Sequence, residues 1–112
     1  MKEEVTVGFI DNKIRNSFEK LKKMDKKLYK LLDRAFDDIK KDYTIGEKRP
    51  IKSIKKEFIK KWGLDETRNI WVYDLPSAWR LLYTIRKEEV IVLAIILDWM
   101  NHDAYMKIYK DR

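Results

Sequence analysis

The run Val90-Ile91-Val92-Leu93-Ala94-Ile95-Ile96-Leu97 is eight apolar residues in succession. A strand with one wet face alternates polar and apolar residues, so an unbroken run predicts a strand covered on both sides and central in its sheet. The elements that would cover it come earlier in the chain. A short apolar stretch, Val5 to Ile10, reads as a first strand. Asp11 or Asn12 can then cap a helix that carries Ile14, Phe18 and Leu21 at helical spacing. Asp25 can cap a second helix, in which Leu28, Leu31, Leu32, Ala35, Phe36, Ile39 and Tyr43 form one apolar stripe. Two such helices in succession predict an antiparallel helical hairpin with its stripes in the core.

Gly46 and Pro50 break this pattern. Beyond them Ile51, Ile54, Phe58, Ile59 and Trp62 predict a short third helix ending at Gly63, with most of the neighbouring lysines on its polar face. Segments 69 to 75 and 78 to 85 are rich in β-branched and aromatic residues and flank Pro76-Ser77, which predicts a hairpin. The apolar run follows, and Asn101 can cap a closing helix through Tyr109 that buries Tyr105, Ile108 and Tyr109. The expected order is β-α-α-α-β-β-β-α, an α+β chain forming one domain over residues 1–112. With 45% hydrophobic residues it can bury a core without metal or disulfide support.

Composition narrows the chemistry. Cysteine is absent, which excludes disulfides, thiol nucleophiles and cysteine zinc sites, and the one histidine excludes a histidine-rich metal site. No cofactor is expected. Met1 to Phe9 carries Lys2, Glu3 and Glu4 and reads as neither secretory signal nor membrane span, so a cytoplasmic protein without membrane contact is expected. The charge is unevenly spread. Lys48, Arg49, Lys52, Lys55, Lys56, Lys60 and Lys61 stand against the single acid Glu57, so this segment supplies six of the formal charge of +7. A local block of that kind attracts a polyanion such as RNA, and the competing reading is a solvated lysine-rich helix face.

If the hairpin turn is the two-residue loop Pro76-Ser77, Tyr73 falls opposite Arg80 and Trp71 opposite Leu82. These four would share a face, with Ile70, Val72, Trp79, Leu81 and Tyr83 on the other, against the helices. Proline does not suit the primed turns that two-residue loops favour, so a bulge would shift the register. In the two-residue register Arg80 lies between aromatic rings. It can hold a phosphate and stabilise the charge that builds there during transfer, while Trp71 or Tyr73 stacks on an unpaired base. An arginine stacked on Tyr73 for structure alone is the alternative. His102 and Tyr105, three apart, project from one side of the closing helix. Imidazole is the side chain whose unperturbed pKa lies nearest neutrality, and a phenol can donate a proton or orient a substrate. A capping or packing histidine and a core tyrosine are the competing readings.

Together these segments resemble the RelE/ParE superfamily of toxin–antitoxin toxins, from about Ile14 to Tyr109. The most specific part is Trp71-Val72-Tyr73-Asp74-Leu75-Pro76-Ser77-Ala78-Trp79-Arg80-Leu81-Leu82-Tyr83-Thr84-Ile85. It is similar to the family hairpin that ends in aromatic-Arg-x-x-Tyr. Ile96 to Tyr105 is similar to the final strand and the His-x-x-Tyr that follows it, and Ile51 to Gly63 resembles a basic segment of one branch. The resemblance implies a helical hairpin on a small, mainly antiparallel sheet. It also implies metal-independent, ribosome-dependent cleavage of mRNA, a cognate antitoxin as protein partner, and mRNA with the ribosome as RNA partners. By residue match Arg80 stabilises the phosphate, His102 or Tyr105 serves as acid/base or orienting group, and Lys52, Lys55 and Lys56 hold RNA phosphates. Nuclease members commonly carry basic residues on the strand before the arginine, where this chain has Trp71 and Tyr73. They also carry basic residues after the last strand, where it has Asp98 and Met100. A relative that binds RNA or the ribosome without cutting, or a gyrase-directed ParE-like toxin, fits the same likeness.

Overall fold

The computed structural model describes residues 4–65 and 68–110. Along the chain run β1 (Glu4–Phe9), α1 (Asn12–Met24), α2 (Lys26–Lys41), β2 (Glu47–Pro50), α3 (Lys56–Lys61), β3 (Asn69–Asp74), β4 (Trp79–Lys87), β5 (Ile91–Asn101) and α4 (His102–Met106). The fold is mixed α+β. Its five-stranded sheet has the order β1-β5-β4-β3-β2, and β1 pairs with β5 in parallel while the other pairs are antiparallel. The apolar run lies inside the sheet, between β1 and β4, with Val92, Ala94, Ile96 and Leu97 buried. Val90 stays outside the strand and is exposed, and β5 continues past Leu97 to Asn101. None of the described helices is long and apolar enough to cross a membrane.

The helix starts follow from their caps. Asp11 Oδ1 accepts from the Ile14 amide at 2.9 Å, and Asp25 Oδ1 accepts from the Leu28 amide at 3.1 Å. The amide of Asp25 also donates to the Leu21 carbonyl, so one residue closes α1 and opens α2. Phe18, Leu28, Leu32, Ala35, Phe36 and Ile39 bury against Leu81, Tyr83, Ala94 and Ile96 on one face of the sheet. On the other face Ile70, Val72, Leu82 and Leu97 lie under Ile54, Trp62, Tyr105 and Ile108. A sheet covered on both faces explains the unbroken apolar run in β5.

Three expectations need correction. First, β2 adds a strand to the expected order. Glu-Lys-Arg-Pro has no apolar alternation to announce a strand, and Pro50, which cannot donate to a ladder, is tolerated because β2 is an edge.

Second, the helix expected from Ile51 to Trp62 divides into a single 3-10 turn, Ile51–Ser53, and the six residues of α3. The backbone between them is used elsewhere. Lys55 N donates to Ile108 O at 2.8 Å, Lys110 N donates to Ser53 O at 2.9 Å, and Ile54 bridges to Tyr109. The same pairing ends the closing helix at Met106 rather than Tyr109.

Third, the hairpin loop has three residues, Pro76–Ala78. Leu75 N donates to Trp79 O at 2.8 Å, and Ser77 and Ala78 take φ of 63° and 64°, left-handed conformations that non-glycine residues rarely adopt. Trp71 therefore pairs with Tyr83, Tyr73 with Leu81 and Asp74 with Arg80. A shift of one residue turns every β3 side chain over. Trp71 and Tyr73 face α1 and α2, while Ile70 and Val72 share the opposite face with Leu82.

Candidate nucleic-acid site around Arg80

Arg80 is the second residue of β4, which starts directly after the hairpin loop, and its side chain is 18% exposed. Its Nε lies 2.9 Å from Asp74 Oδ1, and its Nη1 donates to the Trp79 carbonyl at 3.2 Å. Nη2 lies 3.4 Å from His102 Nδ1. A guanidinium only donates, so Nδ1 accepts in this contact and a neutral imidazole carries its proton on Nε2. The guanidinium carbon stands 5.9 Å from the centroid of the Tyr105 ring.

His102 and Tyr105 reach this point because Asn101 Oδ1 accepts from the Ala104 amide at 2.9 Å and starts α4 where β5 ends. Tyr105 is buried and its hydroxyl is hydrogen-bonded to that of Tyr109, one turn further on. Burial, and then the bond to Tyr105, push the Tyr109 phenol well above its ordinary value, so it is a neutral proton donor at physiological pH. Arg49, on β2, lies against both phenols. Burial opposes its charge, but Glu47, 3.1 Å from Nη2, and the two phenol oxygens outweigh burial and hold the guanidinium above its usual value. An open groove of ≈790 Å³ runs from Tyr105 and Tyr109 past Arg49, Lys52 and Lys110.

The fold thus brings Arg80, His102 and Tyr105 together, and Arg49 and Lys52 line the groove beside them. The rest of the basic segment goes elsewhere. Lys48 faces Trp71 on the opposite side of the sheet, 6.0 Å from its ring, so the arginine between Trp71 and Tyr73 expected from a two-residue turn does not form. Tyr73 donates to Asp38 Oδ2 at 3.0 Å. Lys61 pairs with Asp98 at 3.6 Å, Lys56 and Lys60 are exposed on α3, and half-buried Lys55 precedes that helix. The lysine block is three surfaces rather than one.

Two residues of the cluster escaped sequence reasoning. Asp74 becomes the partner of Arg80 only in the three-residue register. Tyr109 reads from the sequence as a packing residue, although its spacing of four from Tyr105 signals a paired role. No family model matches this chain, and neither a curated protein nor a solved structure matches it.

Proposed function

We propose that this chain is a toxin of a toxin–antitoxin pair, built as a RelE-like helical hairpin on a mainly antiparallel sheet, that cleaves mRNA on the ribosome without a metal. The observation that carries the reading is the convergence of Arg80, His102 and Tyr105 from β4 and α4 beside a basic groove. Cleavage of RNA by its own 2′-hydroxyl needs a cation on the phosphate, an acceptor for the hydroxyl proton and a donor for the leaving oxygen. Arg80 turns from His102 onto the scissile phosphate, and the freed lone pair of Nδ1 takes the 2′-hydroxyl proton. The 2′-oxygen bonds to phosphorus and the bond from phosphorus to the 5′-oxygen breaks. That oxygen takes a proton from the Tyr105–Tyr109 phenol pair, leaving a 2′,3′-cyclic phosphate and a 5′-hydroxyl. Arg49 and Arg80 offset the transient phenolate until the proton held by His102 returns through solvent. Lys52 and Lys110 hold flanking phosphates.

Induction of the chain is expected to arrest growth with new 5′-hydroxyl ends inside translated messages. Arg80→Ala is expected to lower cleavage by about 10²–10³-fold, the size of losing one preorganised donor to a transition-state oxyanion. Equal arrest by both proteins with intact mRNA would sink the reading, and DNA breaks under the same induction would point to gyrase instead. A second reading has its own support: Asp74 holds Arg80 Nε at 2.9 Å, as suits a protein that grips RNA without cutting it. Salt-sensitive RNA binding with no cleavage, on ribosomes or off them, selects that reading.

A further inference from the structure

The α1/α2 side of the sheet carries a second cleft, of ≈740 Å³, at the end away from the hairpin loop. Its floor is aromatic. Trp71 stacks on Tyr83 at 6.2 Å with an interplanar angle of 20°, and meets Tyr43 nearly edge-on at 6.5 Å. The sheet order decides which face of the indole is open. Tyr83 approaches from β4, on the inner side, whereas Lys48 approaches from β2, the edge strand, with its ammonium 6.0 Å from the ring centroid. One indole face is therefore closed by a ring, and a flexible lysine lies over the other. Lys87 stands in the same way over Tyr43, at 5.6 Å. Two arginines also line the cleft, Arg68 with Asp65 at 3.9 Å and Arg86 with Glu88 at 3.0 Å.

We propose that this cleft is a second contact site for single-stranded nucleic acid, in which Trp71 stacks an unpaired base and Lys48 and Lys87 hold the phosphates on either side of it. An entering base displaces the Lys48 ammonium from the outer face of the indole and extends the stack Tyr83–Trp71–base. The displaced ammonium moves on its aliphatic stem to the adjoining phosphate. Stacking on an aromatic platform is indifferent to sequence, and the flanking cations supply a salt-dependent attraction. An acidic peptide satisfies the lysines but leaves the ring face unused, which favours nucleic acid as the occupant. The site is separate from the Arg80 cluster and does not depend on cleavage. On β2 the two surfaces lie back to back, with Lys48 paired to Trp71 and Arg49 to Ile70.

The test is a fluorescence titration of the full chain at low salt with a 2′-O-methyl oligouridylate of about ten nucleotides, which stacks but cannot be cut through its blocked 2′-oxygen. Tryptophan emission is expected to be quenched on binding. Trp71→Phe is expected to remove most of the quench, and the exposed-site double variant Lys48→Glu/Lys87→Glu is expected to weaken binding at least about tenfold. Arg80→Ala is expected to leave the quench in place. A melting curve for each variant checks that the fold is retained, and Lys48→Ala with Lys87→Ala repeats the test should the charge reversals unfold the chain. A quench that survives Trp71→Phe, binding insensitive to both lysine pairs, or loss of the quench in Arg80→Ala would each overturn the proposal. So would an oligoglutamate of equal charge that binds as tightly and quenches equally, since the cleft would then be a site for an acidic protein. Failure here leaves the Arg80 reading standing, because cleavage is measured on unmodified RNA.

Discussion

The two faces of the β2–β3 edge use cations in opposite ways. On the Arg80 face two arginines are held by their neighbours: Arg80 by Asp74, the Trp79 carbonyl and His102, and Arg49 by Glu47 beside two phenols. On the Trp71 face two lysines stand over aromatic rings, Lys48 at 6.0 Å and Lys87 at 5.6 Å, each on a flexible stem. A planar guanidinium fixed by several bonds suits holding one phosphate through a change in bonding. An ammonium on a mobile stem suits gripping a chain whose position is not critical. The contrast arises from alternation alone, since Lys48 and Arg49 are neighbours, as are Trp71 and Val72.

The sharpest way to separate the faces is Tyr109→Phe. This exchange removes a phenol that stands in the groove and holds the Tyr105 hydroxyl. Cleavage is expected to fall about 10²-fold, the lower range for losing a positioned proton donor, while oligouridylate binding at Trp71 is unchanged. A variant that cuts at the parental rate would remove the phenol pair from the chemistry.

Gly46→Ala joins the faces instead of separating them. The Gly46 amide donates to the Tyr83 hydroxyl at 3.0 Å, and that hydroxyl donates to the Tyr43 carbonyl at 2.8 Å. Burial pushes the Tyr83 phenol up to about 12, so it remains a donor throughout the physiological range. A methyl group at position 46 would stand 2.7 Å from that oxygen. The expected loss, read by urea unfolding, is about 2–3 kcal/mol, from overpacking and two disturbed hydrogen bonds. Because β2 begins one residue later, RNA cleavage and oligouridylate binding are expected to decline together. A loss below about 1 kcal/mol with both activities intact would mean that something other than Tyr83 fixes β2.

How much of this was legible in the sequence depends on whether a feature is encoded by side chains or by distant backbone. The apolar run of β5, the stripe of α2 and the caps Asp11, Asp25 and Asn101 are side-chain signals, and each marks a real element. The hairpin register was not readable, because it rests on positive φ at Ser77 and Ala78, where no glycine announces it. The split of the basic segment was hidden for a related reason. Residues 53 to 55 have helical spacing, but their backbone is claimed by Ile108 and Lys110, more than fifty positions away. In the candidate site, the spacing of His102 and Tyr105 signals that they share one side of the closing helix, and the structure brings Arg80 to both. Asp74 depended on the register and was not readable.

The smallest effect concerns the third part of the basic segment, where Lys61 meets Asp98. The bulge that skips Leu97 pairs Asp98 with Leu82 and turns it toward α3. Burial raises the Asp98 carboxyl above its ordinary value of 3.8, despite Lys61, the Trp99 amide and the Trp62 indole, which favour the charge. A raised acid binds its proton more tightly in the folded state than in the unfolded one. Stability from this group therefore falls as pH rises from 3.8 to the folded value, and the unfavourable contribution is fully present above that. Asp98→Asn removes this dependence and keeps an oxygen to accept from the Trp99 amide, now 2.9 Å from Oδ1. At pH 7 the variant is expected to equal the parent or exceed it by up to about 1 kcal/mol, with the difference shrinking and reversing as the medium is made acid. A loss of more than about 2 kcal/mol at pH 7 would mean that the ion pair outweighs burial. Lys61 would then be a structural cation, unlike Lys48, whose ammonium lies over the Trp71 ring.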